Sequence, residues 1–421
     1  MPIRRPILAW ALYDWANSAF ATVMLAGFFP IFFREFWAHG AESARITFTL
    51  GTANSLASLG IVMLAPILGA IADQGGYKKR LLWLFATLGA VLTGSLFWIA
   101  QGDWHLAILL YVLASIGFMG GNVFYDALLV NVTTAARYDR VSAFGFALGY
   151  LGGGLLFAFC VVMTLQPQWF GLADAAAAVQ LSFLLTAIWW LTFSIPLLMF
   201  VHEPRPAAPL GIRRATQAGF SQLRDTFREV RKLRAVWVFL LAYWLYIDGV
   251  DTVIVMAVDY GKALGFETKQ LITALLITQF IGFPAAVAFG RLGERLGTRN
   301  GILLAIGGYC LVTLWASQIQ ESWEFFALAT CIGLIQGGIQ ALSRSYYARL
   351  IPPERAAEFF GFYNMLGKFA AVLGPLLVGG IGLATGNPRI GLLSLLVLFV
   401  GGALVLWCVP DESRGHRGVS P

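Results

Sequence analysis

Residues 69–79 read Gly-Ala-Ile-Ala-Asp-Gln-Gly-Gly-Tyr-Lys-Lys, a polar and cationic stretch between two long apolar runs. Residues 290–299 repeat the pattern as Gly-Arg-Leu-Gly-Glu-Arg-Leu-Gly-Thr-Arg. Packing alone does not explain a charged hairpin that occurs twice in an otherwise apolar chain. The pair predicts a membrane protein built by duplication, with a conformational joint at the same place in each half. The candidate gating residues in the hairpins are Gly69, Asp73, Gly76, Lys78, Lys79, Gly290, Glu294, Gly297 and Arg299.

The composition indicates an all-α polytopic membrane protein. The chain is 58% hydrophobic and 12% charged, with a mean hydropathy of +0.74 over 421 residues. A bilayer-spanning helix needs about 20 mostly apolar residues. Strands of a membrane barrel would alternate polar and apolar residues over about ten positions, whereas these runs are continuously apolar for longer. We expect twelve transmembrane helices, near residues 7–33, 47–72, 81–101, 106–131, 141–165, 177–201, 235–259, 269–290, 301–318, 324–348, 358–383 and 390–409.

The distribution of basic residues explains the net charge of +7. If the N-terminus is cytoplasmic, most cations fall in cytoplasmic loops, and few lie on the opposite side: Arg34, Arg45, Lys262, Lys269 and Arg389. This asymmetry is typical of the positive-inside rule, and it places both termini in the cytoplasm. The expected surroundings are therefore membrane lipid, and a nucleic-acid partner is not expected.

A polar interruption divides the chain into two sets of six spans. We expect an N-terminal six-helix bundle at 1–201, a cytoplasmic linker at 202–234, a C-terminal six-helix bundle at 235–409 and a cytoplasmic tail at 410–421. In the linker, apolar residues recur at helical spacing among arginines and lysines. That pattern predicts a basic amphipathic helix on the cytoplasmic leaflet. A solvated linker helix without membrane contact is the alternative.

Three further pairs of similar sequence stretches occur in the two halves, in the same order and orientation as the hairpins. They pair residues 13–18 with 247–252, residues 139–146 with 354–362, and residues 120–122 with 337–340. Together with the hairpins they predict two parallel six-helix repeats, the organisation described for major facilitator transporters.

These motifs also resemble a known family. The hairpin pair is similar to the signature that the major facilitator superfamily carries between spans 2 and 3 and between spans 8 and 9. The stretches Tyr13–Phe20, Gly337–Ser345 and Glu358–Tyr363 resemble the branch of the autophagy-related vacuolar amino-acid effluxers. The resemblance covers essentially all twelve spans and implies the major facilitator fold, with amino-acid export implied more weakly. Because long insertions are absent, the chain looks like a bacterial member, located in the cytoplasmic (inner) membrane.

The resemblance also implies roles for the first hairpin. Asp73 would engage the start of span 11, near Pro353 and Glu354, where a helix N-terminus favours a carboxylate. Lys78, Lys79 and Arg80 would lie at the lipid headgroups. In the second hairpin, glutamate replaces the usual aspartate and Asn300 stands where a second cation is common. We therefore expect the second hairpin to bind the opposite half less tightly than the first.

Six charged residues fall within the predicted spans: Asp14, Asp126, Asp248, Asp251, Arg344 and Lys368. A charge at the bilayer centre costs at least about 2.5–3.5 kcal/mol, so such residues normally face a cavity or pair with each other. Asp14 shares a helical face with Asn17, and Asp248 shares one with Asp251. Two carboxylates one turn apart in a poorly hydrated site do not both ionise easily, and the histidines all lie in loops or at helix ends. The Asp248–Asp251 pair is therefore the candidate for proton coupling.

The sequence leaves the roles of the two intramembrane cations open. Arg344 could hold an anionic group of the solute bidentately, or it could pair with Asp126 as part of a cytoplasmic gate. Lys368 lies deeper and, with Tyr363 and Asn364, fits a patch that lines a cavity. The amides Asn122 and Gln340 could line the same cavity or bond neighbouring helices together.

The favoured function is secondary active transport of a small polar solute by alternating access, with proton coupling and possible amino-acid or related metabolite efflux. Small-anion or peptide transport and a non-transporting sensor on the same fold are the alternatives. The sequence contains no phosphate-binding loop, metal-ligand cluster or nucleophilic triad, so we expect neither an enzyme nor a cofactor. The expected partners are the solute and protons, and the expected oligomeric state is a monomer.

Overall fold

The computed structural model describes residues 4–204, 233–263, 267–370 and 373–410. Within these ranges, twelve helices are long and apolar enough to cross a membrane. The prediction of twelve transmembrane helices is thereby confirmed. The predicted amphipathic helix of the linker falls largely on residues 205–232, and it and the tail at 411–421 lie outside the described residues.

The twelve spans are numbered in chain order. They are Arg5–Trp37, Phe48–Gly75, Lys78–Trp98, Trp104–Val132, Ala135–Leu165, Ala175–Phe200, Arg234–Ile254, Lys269–Leu296, Thr298–Ala316, Trp323–Leu350, Pro353–Thr385 and Arg389–Trp407. The helices of spans 2, 7, 8 and 10 extend further, to Ser43–Gly75, Arg234–Ala263, Thr268–Leu296 and Ser322–Leu350. Spans 1–6 are called the first half and spans 7–12 the second half.

Span 1 departs from a continuous α-helix, and span 11 begins with a 3-10 turn at Pro353–Arg355. Span 1 contains π-helical turns at Phe20–Phe28 and Phe33–Trp37. The main helices of span 11 are Ala356–Ala370 and Leu373–Thr385.

Glycines with positive φ form the two hairpins. Gly76 ends span 2 in the left-handed conformation at φ +66°, and Tyr77 N–H donates to the Ala72 carbonyl oxygen. Gly297 ends span 8 at φ +87°. A side chain at either position would be strained, which explains why both hairpins carry glycine there. The end of the molecule that carries both hairpins is called the hairpin end.

The two halves approach each other closely at the hairpin end. A Cβ on Gly69 of span 2 would lie 2.3 Å from the Ala357 carbonyl oxygen of span 11. A Cβ on Gly290 of span 8 would lie 2.6 Å from Cβ of Ala143 in span 5. Glycine removes the side chain at each crossing and lets the helices touch, as small residues do in membrane helix packing.

Spans 2 and 11 separate away from the hairpin end. Span 2 packs against Ala356–Ala370, the first main helix of span 11. Toward its other end, span 2 exposes Phe48 and Leu56, with 75% and 55% of their surface accessible. On span 11, a Cβ added at Gly379 or Gly380 would meet no described atom within 4 Å. The structure is therefore closed at the hairpin end and splayed along spans 2 and 11 at the other.

Candidate functional site

A buried arginine joins the two halves. Arg344 of span 10 is 2% exposed, and its Nη1 lies 3.0 Å from Oδ1 of Asp126 in span 4. Oδ2 of Asp14 in span 1 lies 3.8 Å from the same nitrogen. Arg344 and Asp126 are each six residues from the hairpin-end terminus of their span, about 9 Å at 1.5 Å per residue. Of the two arrangements considered from the sequence, the structure contains the ion pair with Asp126.

Span 5 supplies further partners to Arg344. Ser142 accepts hydrogen bonds from Arg344 Nε at its hydroxyl and from Nη2 at its carbonyl oxygen, both at 2.9 Å. Ser142 also donates its hydroxyl to the Ala341 carbonyl oxygen of span 10 at 2.8 Å. No sequence signal marks this role of Ser142, because a serine near a helix start is common and its partners lie about 200 residues away.

The acids that face Arg344 are held by polar neighbours. Tyr125 donates its hydroxyl to Asp14 Oδ2 at 3.0 Å. Asn364 of span 11 donates to Asp126 Oδ2 at 3.1 Å. This second contact crosses between the halves, so Asp126 receives donors from both spans 10 and 11.

The predicted amides bond neighbouring helices. Asn17 donates to Asn122, which joins spans 1 and 4 within the first half. Gln340 of span 10 accepts from the Tyr150 hydroxyl of span 5 at 3.4 Å, and this contact crosses between the halves. Gln279 of span 8 also crosses, since it donates to the Thr22 hydroxyl of span 1 at 2.9 Å.

A second charged layer lies farther from the hairpin end. Asp251 is 17 residues from the start of span 7 and Lys368 is 15 residues from the start of span 11, about 25 and 22 Å at 1.5 Å per residue. Both are partly exposed. Lys368 interacts electrostatically with Asp251 of its own half and with Asp126 of the first half.

Asp248 has partners different from those of Asp251. It is fully buried, and its Oδ1 accepts a hydrogen bond from Gly374 N–H of span 11, at 2.9 Å. A Cβ on Gly374 would lie 1.9 Å from the Thr252 hydroxyl oxygen, so only glycine fits this contact. Tyr363, predicted to line the cavity, is 5% exposed and stacks on Tyr243 with ring centroids 4.1 Å apart.

The first hairpin binds the second half through a carboxylate at a helix N-terminus. Asp73 accepts hydrogen bonds from the backbone N–H groups of Ala357 and Glu358 at 3.2 and 2.9 Å. The contact falls a few residues after Pro353 and Glu354, the positions expected from the sequence. Lys78 Nζ lies 2.8 Å from Asp73, and both side chains are buried.

The predicted headgroup position is wrong for Lys78. Lys78 is 6% exposed because Asp73 pairs with it, and Lys79 Nζ donates to the Val201 carbonyl oxygen at 2.7 Å. Glu203 accepts from the backbone N–H groups of both lysines, at 2.7 and 3.1 Å. Glu203 was missed by the sequence analysis, although an acid directly after span 6 could have suggested a cap on a neighbouring helix. Arg80 alone of the three cations is exposed.

The second hairpin is held differently. Glu294 pairs with Arg140 of span 5, whose side chain is 58% exposed. The buried contact uses Asp139 of span 5 instead, which accepts from Arg349 Nη1 at 2.7 Å, from the Thr298 hydroxyl at 2.8 Å and from the Ser345 hydroxyl.

Arg299 of the second hairpin contacts the end of span 12. Its Nη1 donates to the Val409 carbonyl oxygen at 3.3 Å, and its guanidinium lies 5.8 Å from the Trp407 ring centroid. Sequence reasoning did not identify Asp139 or Arg349 as gate residues, since each resembles an ordinary charge at a helix end.

Two parallel sets of six helices, closed at one end around buried charges, define a major facilitator transporter, a multi-pass membrane protein. The proton:xylose symporter XylE bound to 6-bromo-6-deoxy-D-glucose is similar in structure, with TM-score 0.73, 15% identity and coverage of 97% of this chain and 96% of that chain. The human organic anion transporter MFSD10 is similar with TM-score 0.71, 15% identity and coverage of 96% and 100%. At such identities the likeness shows the fold alone.

The chain belongs to the family described as vacuole effluxer Atg22 like, which it matches over residues 44–419. It is 40% identical over 412 residues to the uncharacterized MFS-type transporter YxiO of Bacillus subtilis (strain 168), covering 96% of this chain and 95% of that protein. It is 26% identical over 464 residues to autophagy-related protein 22 of Yarrowia lipolytica, covering 88% and 76%. The fold and family predicted from the sequence are thus confirmed.

Proposed function

We propose that the chain exports a small polar solute that bears an amine, by alternating access and with proton coupling. The proposed location is the cytoplasmic membrane, with both termini and the hairpin end facing the cytoplasm, as the distribution of basic residues supports. The effluxer description of the family supports export, and the amine follows from the charges described below.

The observation that carries the proposal is a set of buried contacts between the halves at the hairpin end. Arg344 binds Asp126, Asp73 binds the start of span 11, and Asp139 binds Arg349. Each contact joins the first half to the second, so opening this end must break all of them. Two halves that separate at one end while they close at the other would alternate the access of a central site.

The charge balance favours an amine over a small anion. The two charged layers of the described spans contain four acids and two cations: Asp14, Asp126, Asp248, Asp251, Arg344 and Lys368. A lone anion would enter a region with an excess of carboxylates. A zwitterion can place its ammonium group near Asp251 and its carboxylate near Lys368, the two partly exposed charges of the deeper layer.

Proton coupling is proposed for the Asp248–Asp251 pair. Asp251 is partly exposed, so it is the carboxylate that exchanges protons with water. Asp248 is buried and accepts a hydrogen bond from Gly374 N–H of span 11, so its contact ties the pair to the part of span 11 that separates from span 2. This arrangement provides a physical link between proton binding and helix position.

The test is flux into proteoliposomes that contain the purified chain. Labelled zwitterionic amino acids are supplied with and without a pH gradient, to the wild type and to Asp251→Asn, Asp248→Asn and Lys368→Gln. We expect flux to follow the gradient in the wild type, to lose its pH dependence in Asp251→Asn and to fall in Lys368→Gln. Asp103→Asn makes the same charge change in an exposed position before span 4 and is the matched control.

Two outcomes contradict the proposal. Unchanged pH dependence in both aspartate variants removes the proton-coupling role. Binding of amino acids to purified protein without flux in any liposome favours the sensor over the transporter.

A further inference from the structure

The surroundings of Arg344 form a receptor for a planar cation. Three aromatic ring centroids lie close to the Arg344 Cζ atom: Trp10 at 4.9 Å, Tyr125 at 5.1 Å and Phe146 at 4.3 Å. Together with Asp14 and Asp126, these five residues are called the cation receptor. Aromatic faces attract a cation through the ring quadrupole, and the two carboxylates add opposite charge.

All five residues of the cation receptor belong to the first half, whereas the cation itself comes from the second. The receptor side chains also support one another without Arg344. Trp10 Nε1 donates to the Tyr125 carbonyl oxygen at 2.9 Å, the Tyr125 hydroxyl donates to Asp14, and the two rings stack at 4.5 Å. The first half therefore contains a preformed receptor that an arginine of the second half fills.

A glycine leaves room for the guanidinium. A Cβ at Gly145 would lie 2.9 Å from the Trp10 ring and 3.2 Å from Arg344 Nη2. Gly145 also belongs to the first half, in span 5. The space beside the rings thus exists because span 5 has no side chain at this position.

Opening of the hairpin end withdraws Arg344 from the receptor. Asp14 and Asp126 then lose their guanidinium partner, and uncompensated buried charge is strongly unfavourable. Another cation that reaches the site can replace the guanidinium. A hydrated metal ion matches the aromatic walls poorly, whereas an organic ammonium or guanidinium group has both charge and faces to stack.

We propose that the cation receptor binds the ammonium or guanidinium group of an organic cation in the conformer open at the hairpin end. The solute then takes the place of Arg344, and closure requires the solute to leave as Arg344 returns. This inference rests on the proposed function in one respect, that the halves separate at the hairpin end. It adds the site and the chemical class of the group bound there.

The test measures binding, without flux, on the full-length protein in detergent. Methylguanidinium chloride is titrated against the wild type, Arg344→Ala, and Arg344→Ala combined with Asp126→Asn, with sodium chloride at equal ionic strength as the salt control. We expect methylguanidinium to raise the unfolding temperature of Arg344→Ala by several degrees, with a much smaller effect in the double variant and in the wild type. Arg389→Ala is the matched control, since it removes an arginine whose hydrogen bond, to the Ile319 carbonyl oxygen, stays within the second half at the end opposite the hairpins.

A second variant keeps the proposal testable if Arg344→Ala does not fold. Asp73→Asn weakens the closed hairpin end without touching the receptor, and we expect methylguanidinium to bind it about tenfold more tightly than the wild type, equivalent to about 1.4 kcal/mol. Equal affinity in wild type and Asp73→Asn, or an equal temperature shift in the single and double Arg344 variants, overturns the receptor. Amino-acid flux without methylguanidinium binding leaves the proposed function standing, whereas binding without flux supports the receptor and removes the transport proposal.

Discussion

Gly69→Ala should push the two halves apart at the hairpin end. The new Cβ would lie 2.3 Å from the Ala357 carbonyl oxygen and 2.8 Å from Glu358 Cα. Contact between carbon atoms is comfortable only from about 3.5 Å, so the helices must separate by several tenths of an ångström or more. The obstructing atoms are backbone, which no side-chain rotation can move.

The expected magnitude follows from overpacking. An extra methyl group in a tight contact typically costs about 1–3 kcal/mol. Only the closed conformer contains this contact, so the cost acts on the equilibrium between closed and open. A change of about 1–3 kcal/mol corresponds to about a 5- to 150-fold shift toward the conformer open at the hairpin end.

The assay is a distance measurement between spin labels on the two halves. Labels are attached through Arg80→Cys and Asn300→Cys, both exposed and one in each half, in a background that lacks the native cysteines. We expect a short-distance population in the parent and a growing long-distance population in Gly69→Ala. Gly51→Ala on the same span is the control, because a Cβ at Gly51 meets no described atom within 4 Å. If the distance distribution of Gly69→Ala matches that of Gly51→Ala, the expected shift toward the conformer open at the hairpin end does not occur.

Three further predictions concern single contacts. Asp139→Asn should destabilise the protein by about 1–3 kcal/mol because it weakens three hydrogen bonds to a buried carboxylate. Glu294→Gln should change stability by less than about 1 kcal/mol because its ion pair is exposed. Equal unfolding temperatures for the two variants would contradict this difference. Glu203→Gln should cost about 0.5–2 kcal/mol through loss of a charged cap at a helix start, measured by thermal unfolding in detergent and disproved by a melting curve identical to that of the wild type. Cys408 is exposed and Cys160 buried, so a maleimide should label Cys408 first in native protein, and mass spectrometry of the labelled peptides would show the reverse order if these positions are misassigned.

The first hairpin shows which structural features a local sequence pattern can predict and which it cannot. The glycine at position 76 and the acid at position 73 stand out in the sequence because their spacing recurs in the second half. The destination of Asp73 came from the family resemblance and was placed a few residues too early. The burial of Lys78 on Asp73 is not predictable in this way, because a positively charged turn looks the same in the sequence whether its cation contacts lipid or a buried carboxylate.

The twelve spans, the duplication, the position of the hairpins and the set of intramembrane charges can all be read from the amino-acid sequence. These properties depend on apolar run length and on repeats of short motifs, which are local. Three features depend on the packing of the folded chain: Arg344 binds Asp126 and Ser142, Asp139 rather than Glu294 makes the buried contact, and Asp248 and Asp251 have separate partners. Each of those contacts joins residues more than 100 positions apart or depends on which side of a helix faces the other half. Helix packing sets both, and no periodicity along the chain encodes them.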